Sequence, residues 1–446
     1  MIRLTAILFS AIVAAFALGA WVFPYDFTTR DVLHQLYAVS GLLLWSLMTL
    51  CIVSAARPQW IEKVAGCGMN RVMAEHKVLG WGVALFLGFH ILAPAAGLLI
   101  PATPVPLMGH HDMSTFWKKV WIISHPVCAF SGVLVTFWIL SLIGKDIRRA
   151  AGKLTWPSWE AKHRAWAWGY LLMAPHCLRL LKETEMVMPL GWINLALTIV
   201  GCWAAVRIIR NRIGAEKRRV GKVLSVKVFA SHTWLTVKTD LAYLVRPGEF
   251  VYLSRPDDVE MPHPLSVASV NPAEGTLGFW IRPAGAWTQS VASWQPDSEV
   301  IAEGPWGDFR PTAAPNQLWA AAGSGIAPFL SWLEARAGQL KAGETVPEAK
   351  LFWCIHSVKD EATLARVTKL AGDAGVALTV FVTEKENRRP KAADLGVKDA
   401  EALAVCGPAG FVAFTRCAWK DAGKPAASLR TEAFCHAVIK SERQRV

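Results

Sequence analysis

Two stretches decide how this chain reads: residues 76–90, HKVLGWGVALFLGFH, and residues 163–176, HRAWAWGYLLMAPH. Each begins and ends on histidine within an apolar run, at separations of 14 and 13 positions (76 to 90, 163 to 176). At ~1.5 Å rise per residue, a helix carries such imidazoles at two depths roughly 20 Å apart. Two such helices side by side offer two imidazole pairs, one above the other. A histidine inside a membrane is costly unless its ring nitrogens are satisfied, so it marks a functional position by default. One alone could still be a hydrogen-bonded packing residue. Four at paired depths point to metal ligation by His76, His90, His163 and His176.

Bis-imidazole ligation of two b haems fits best, because it leaves no open coordination position and so suits electron transfer. A di-iron site would want carboxylates, and the apolar runs hold almost none. Helical phase treats the pairs differently. At ~100° per residue, His90 returns to within about 40° of His76, whereas His176 lies about 140° from His163. Pro175 is therefore expected to make the helix irregular and re-aim His176, and His163 sits at the helix start, where the chain can also bend.

A chain of 446 residues, 53% hydrophobic, is long enough for two or three domains. Six runs approach the ~20 apolar residues that span a bilayer, near 4–23, 33–55, 76–100, 120–143, 163–181 and 187–209. Trp is frequent, with 22 residues mostly near the ends of these runs, where an amphipathic ring suits the membrane interface. The net charge of +13 sits in alternate loops, including Arg57 and Lys63, Arg148 and Arg149, Arg210 and Arg212. The positive-inside rule then places both termini in the cytoplasm, with His76 and His163 at the inner level. Topology thus accounts for the basic balance, and nucleic acid is not implied. Nine cysteines show no CxxC and no CxxCH, which argues against a zinc framework, covalently attached haem or disulfides. Leu4 to Phe23 could pass for a signal peptide, but five further runs follow, so a retained first helix is expected.

Residues 211–446 alternate apolar and polar positions. Lys222–Phe229, Thr233–Thr239 and Glu249–Ser254 read as strands of a small antiparallel barrel, with Pro247-Gly248 as a turn. From about Asn316, strands (Leu318–Ala322, Ala349–Ile355, Ala377–Val382, Ala402–Val405) alternate with helical stretches, which reads as an α/β unit with a parallel sheet. The fold expected is a multidomain membrane protein: a six-helix transmembrane bundle over 1–210, an antiparallel β-barrel over 211–312 and an α/β nucleotide-binding domain over 313–446. Gly323-Ser324-Gly325-Ile326-Ala327-Pro328 follows a strand and precedes a helix, the context a phosphate-binding turn needs.

The four histidines at this spacing resemble the ferric reductase and NADPH oxidase superfamily, and the C-terminal half resembles its ferredoxin-reductase-type flavoprotein module. Arg246-Pro247-Gly248-Glu249-Phe250 is similar to the family's Pro-Gly-Gln-Phe turn, and Glu303-Gly304-Pro305-Trp306-Gly307 to the turn closing the barrel. His263-Pro264-Leu265-Ser266-Val267 resembles the His-Pro-Phe-Ser/Thr flavin motif, with Leu265 in place of the usual Phe. The resemblance implies Ser266 near the flavin N5. Arg282 and Gly285-Ala286-Trp287-Thr288 resemble the loop that receives the FAD pyrophosphate, for which guanidinium and backbone N–H groups are apt. Gly323, Ser324, Gly325, Ile326 and Pro328 match the nucleotide turn. Cys406-Gly407-Pro408 matches the segment beside the nicotinamide, and Glu432-Ala433-Phe434 the C-terminal Glu-x-Phe whose aromatic lies by the flavin.

The resemblance implies a transmembrane oxidoreductase carrying electrons from cytoplasmic NADPH or NADH through FAD and two haems b to an acceptor outside. Its setting would be a bacterial inner membrane. Ferric or other metal chelates are the favoured acceptors. A superoxide-producing oxidase is the alternative, with Arg30 beside the outer haem, and a non-enzymatic haem sensor a third reading. His34 could join Arg30. His110 and His111 read as an outer loop, and His125 as structural. His356, Ser357 and Lys359, or Arg388, Arg389 and Lys391, could meet a 2′-phosphate, which favours NADPH. A homo-oligomer is compatible with all of this.

Overall fold

Among the described residues, six helices of 14 residues or more build the N-terminal half: α1 (Ile2–Val22), α2 (Thr29–Ala56), α3 (Met69–Gly97), α4 (Thr115–Ala150), α5 (Trp166–Arg179) and α6 (Pro189–Ile209). The computed structural model describes residues 1–22, 29–97, 115–150, 159, 162–179, 189–258 and 262–434, with the backbone alone at 20, 29–35, 93–97, 115–127, 129, 146, 149–150 and 434. The chain divides into two units, Met1–Cys67 with Arg71–Ala215, and Gly68–Asn70 with Glu216–Val446.

Four described helices, rather than the six expected, are long and apolar enough to cross a membrane: Ile2–Gly19, Leu36–Ala56, Met69–Leu92 and Pro189–Ile209. In α4 the described apolar stretch is Phe130–Lys145. α5 has 14 described residues, with Arg164 and Arg179 flanking its apolar run. Ile7, Leu85, Phe89 and Phe137 are exposed, as suits helices apolar all round. Polar side chains tie the bundle together. Trp45 Nε1 donates to Thr198 Oγ1 at 3.1 Å, and the Tyr170 hydroxyl meets Thr49 Oγ1 at 2.7 Å and the Leu197 carbonyl at 3.1 Å. Such bonds join membrane helices where apolar burial alone gives little preference.

In the second unit, β1 (Arg218–Val228), β2 (Thr233–Thr239), β3 (Phe250–Ser254), β4 (His263–Asn271), β5 (Thr276–Ile281) and β6 (Glu299–Trp306) close a barrel in the order β1-β2-β5-β4-β3-β6. Every pairing is antiparallel. Leu235, Val237, Val251, Leu253, Val267 and Phe279 fill its interior, and closure leaves no sheet edge exposed.

A five-stranded sheet follows: β7 (Asn316–Ala322), β8 (Glu348–Ile355), β9 (Ala377–Val382), β10 (Ala402–Pro408) and β11 (Leu429–Phe434), in the order β11-β10-β7-β8-β9. All four pairings are parallel. Helices α7 (Ala327–Lys341), α8 (Glu361–Asp373) and α9 (Ala409–Asp421) pack on it. Phe329, Trp332 and Val367 belong to one buried cluster, Val412 and Trp419 to another. The barrel and the parallel α/β sheet are thus as expected.

Candidate functional site

In an open parallel sheet, ligands bind beyond the carboxyl ends of the strands where the strand order reverses. Here the chain passes from β7 outward to β8 and β9, then returns to β10 on the other side of β7. The reversal therefore lies between β7 and β10. Their carboxyl ends carry Gly323-Ser324-Gly325 and Cys406-Gly407-Pro408. A Cβ on Gly325 would run into the Cys406 carbonyl, so the close approach of the two turns requires glycine. Ile326 and Pro328 are buried beneath. Trp353 Nε1 donates to the Gly323 carbonyl at 3.1 Å, bracing the turn from β8. Ser331 Oγ donates to the Pro328 carbonyl at 2.8 Å and accepts the Gly248 amide at 3.1 Å, joining this turn to the barrel.

Cys406 is buried, and in register it faces Glu432 on β11. Burial first, and then the Glu432 charge, push its thiol well above the ordinary range. Glu432 is itself lifted to about 8, by burial and then by Asp308, and its Oε2 has no hydrogen-bond partner. A carboxyl in that environment stays protonated at neutral pH. Sequence reading took Phe434 from this motif and passed over Glu432. The signal was one acid in an otherwise apolar strand end. Phe434 pairs with Pro408 through its backbone, and its side chain lies outside the described residues.

On the barrel, Ser266 and Leu265 of β4 pair with Phe250 and Val251 of β3, and Pro264 with Tyr252. The His263 ring lies flat on Trp287, centroids 4.0 Å apart at 8°. Burial lowers the pKa of that imidazole against the pull of Asp258. Trp287 is buried, and its Nε1 donates to Asp258 Oδ2 at 2.8 Å. Thr288 Oγ1 accepts from the amides of Ala284 and Gly285, both at 2.9 Å. Those two amides are therefore already engaged, while Arg282 stands exposed beside them. Arg388 is similarly committed: it grips Asp394 with two bonds of 2.6 and 2.9 Å and holds that carboxyl at about 2.

In the helical unit, His76 and His163 have ring centroids 6.1 Å apart, and His90 and His176 6.5 Å. Metal–imidazole bonds of about 2.0–2.1 Å, with a ring radius of about 1.1 Å, put two rings on opposite sides of one ion with centroids about 6.3 Å apart. Both pairs meet that spacing. Among the described residues no cluster of three His, Cys, Asp or Glu is placed to hold a metal. Beside the His90–His176 pair is a cleft lined by Tyr37, Gly41, Trp45, His90, Met173 and His176 among others. Gly41 and Gly132 leave room for the rings: a Cβ would fall 2.8 Å from His90 Cε1 and 2.7 Å from His176 Nδ1, respectively.

The expected irregularity at Pro175 is not where the backbone departs from the helix. α5 stays helical through Pro175 and His176, and the tight turn lies at Ala165. There the Ala165 amide bonds Lys162 O at 3.2 Å, and Trp168 N bonds Ala165 O at 3.0 Å. A three-residue turn rotates the chain by about 120° per residue instead of about 100°, so phase changes beside His163. The side chains of Arg30, His34 and His125 lie outside the described residues, as do His110 and His111 altogether.

No protein-family model matches this chain, and no curated protein matches it. Solved structures do. A ferredoxin reductase in carbazole 1,9a-dioxygenase is 18% identical with a TM-score of 0.41, covering 49% of this chain and 69% of that one. A ferredoxin NADP+ reductase from Neisseria gonorrhoeae with bound FAD and NADP is 18% identical, TM-score 0.41, covering 49% and 98%. The FAD/NAD-binding domain of a nitric oxide dioxygenase from Vibrio cholerae is 18% identical, TM-score 0.39, covering 48% and 98%.

Proposed function

We propose that this chain is an integral membrane oxidoreductase. It would draw electrons from NADPH or NADH through FAD and deliver them, by two haems b, to a ferric or other metal chelate on the far side. The observation that carries the reading is the recurrence of the 6.1 and 6.5 Å imidazole pairs on the same helix segments. His76 and His163 would hold one haem, His90 and His176 the other. When bound, FAD turns a two-electron donor into one-electron steps and bis-imidazole iron carries single electrons.

The chain's own residues supply position and environment. The Gly323–Ile326 turn and Cys406-Gly407 would receive the dinucleotide at the strand-order reversal. The Cys406 thiol and Glu432 are both kept neutral by burial, so neither places a charge beside an incoming nicotinamide. Ser266, with Leu265 and His263, would line the flavin, and Arg282 would meet its pyrophosphate. Arg388 is held by Asp394, which favours His356, Ser357 and Lys359 over Arg388 for a 2′-phosphate. Cationic loops support a cytoplasmic second unit.

Pyridine-haemochrome analysis of the purified full chain should give two haems b, with NADPH-driven reduction of Fe(III)-citrate unaffected by superoxide dismutase. No haem, or no NAD(P)H oxidation, refutes the reading. Iron reduction abolished by superoxide dismutase would instead make oxygen the acceptor.

A further inference from the structure

The serines of α2 repeat the spacing of the histidines of α3. Ser40 and Ser54 are 14 positions apart, as are His76 and His90. Ser54 Oγ lies 2.9 Å from His76 Nδ1, and Ser40 Oγ lies 3.3 Å from His90 Nδ1. Both hydroxyls also spend their proton in the same way: Ser54 donates to Cys51 O at 2.8 Å, and Ser40 to Tyr37 O at 2.9 Å. With its proton on that carbonyl, each serine oxygen offers a lone pair to an imidazole Nδ1. That arrangement favours the proton on Nδ1 and an unprotonated Nε2, the tautomer a metal needs.

The rings are also held in plane. His90 is stacked on Tyr37 with centroids 4.1 Å apart at 13°. On the opposing side, His163 stacks on Trp159 at 4.5 Å and 19°, and His176 Nδ1 lies 2.8 Å from the Cys128 carbonyl. The outcome is the same at both levels: ring planes at 77° in one pair and 76° in the other.

We infer that Ser40 and Ser54, with Tyr37 stacked on His90, are positioning residues that fix the tautomer and plane of His90 and His76 and hold both imidazole pairs near-perpendicular. The inference rests on the haem reading above but concerns how the ligands are set. Partners behind a ligating histidine fix its tautomer and orientation and tune the metal. Perpendicular axial imidazoles leave two iron d orbitals nearly degenerate, which concentrates the ferric low-spin resonance into one low-field feature. Parallel planes separate those orbitals and spread the resonance into three lines.

Low-temperature electron paramagnetic resonance of the oxidised, haem-loaded full chain tests this. Two low-field features and no three-line spectrum are expected. Ser54→Ala should shift the feature of one haem and Ser40→Ala or Tyr37→Leu that of the other, with two haems still bound. Ser54→Thr and Tyr37→Phe, which keep the acceptor and the stack, should restore the wild-type signals. If a variant loses its haem instead, the conservative partner retaining haem and signal still supports the assignment. A three-line spectrum from wild-type protein carrying two haems overturns it while leaving the haem reading intact. So do unshifted signals in all three disruptive variants. Wild-type protein without haem overturns the functional reading, and this inference with it.

Discussion

Glu432→Gln should stabilise the second unit, and by an amount that grows with pH. The carboxyl is lifted from 4.5 to about 8. Below 4.5 both folded and unfolded states are protonated, and the group costs nothing through ionisation. Above 4.5 the unfolded chain releases the proton and the folded chain does not, so the equilibrium moves toward unfolding. The penalty rises with pH until the folded group itself ionises near 8, then levels off. Each pH step in that window withholds about 1.4 kcal/mol. The cost is therefore about 1 kcal/mol at pH 5 and about 3 kcal/mol at pH 7. Glutamine is neutral throughout and of similar volume, so the variant escapes this cost. Thermal unfolding of the full chain, followed by tryptophan fluorescence at the two pH values, reads the difference. At about 2–4 °C per kcal/mol for a unit of this size, the stabilisation should exceed its pH 5 value by several degrees at pH 7. An equal shift at both pH values would refute the argument, because it would mean that Glu432 ionises alike in both states.

Gly132→Val would press a side chain against His176, whose Nδ1 is already 2.7 Å from a Cβ at that position; haem content should fall from two to one per chain with flavin reduction retained. Gly325→Ala forces the nucleotide turn off the Cys406 carbonyl. An overpacking cost of about 1–3 kcal/mol should raise the KM for NAD(P)H by roughly 5- to 150-fold in steady-state assays, with FAD content unchanged. Arg388→Ala should cost at most about 1 kcal/mol, since the Asp394 pair is partly exposed; the NADPH-to-NADH ratio of kcat/KM should stay constant, and a collapse of that ratio would place the 2′-phosphate on Arg388.

The two spacings of 14 and 13 residues, the β7 turn Gly323-Ser324-Gly325 and the strand runs on either side were legible in one dimension. Helical rise, strand alternation and turn chemistry act between neighbours in sequence. Hydropathy likewise found the long helices, four of which, among the described residues, are long and apolar enough to cross a membrane.

What the tertiary structure decided is of another kind. Ser40 and Ser54 carry no signal by themselves, since a serine in an apolar helix usually bonds its own preceding turn. Only the packing of α2 beside α3 makes their spare lone pairs acceptors for His90 and His76. The phase mismatch of His163 and His176 was visible in the sequence, as was the freedom to bend beside His163. That the turn falls at Ala165, while the helix runs on through Pro175, was not. Burial is long-range as well: Glu432 is an ordinary acid until β10 and Asp308 surround it, and Arg388 an ordinary cation until Asp394 accepts two of its hydrogen bonds. The sequence by itself determined the spacing of candidate ligands and the order of the two folds. The tertiary structure decided which groups face one another, because desolvation and hydrogen-bond partnership depend on residues distant in the chain.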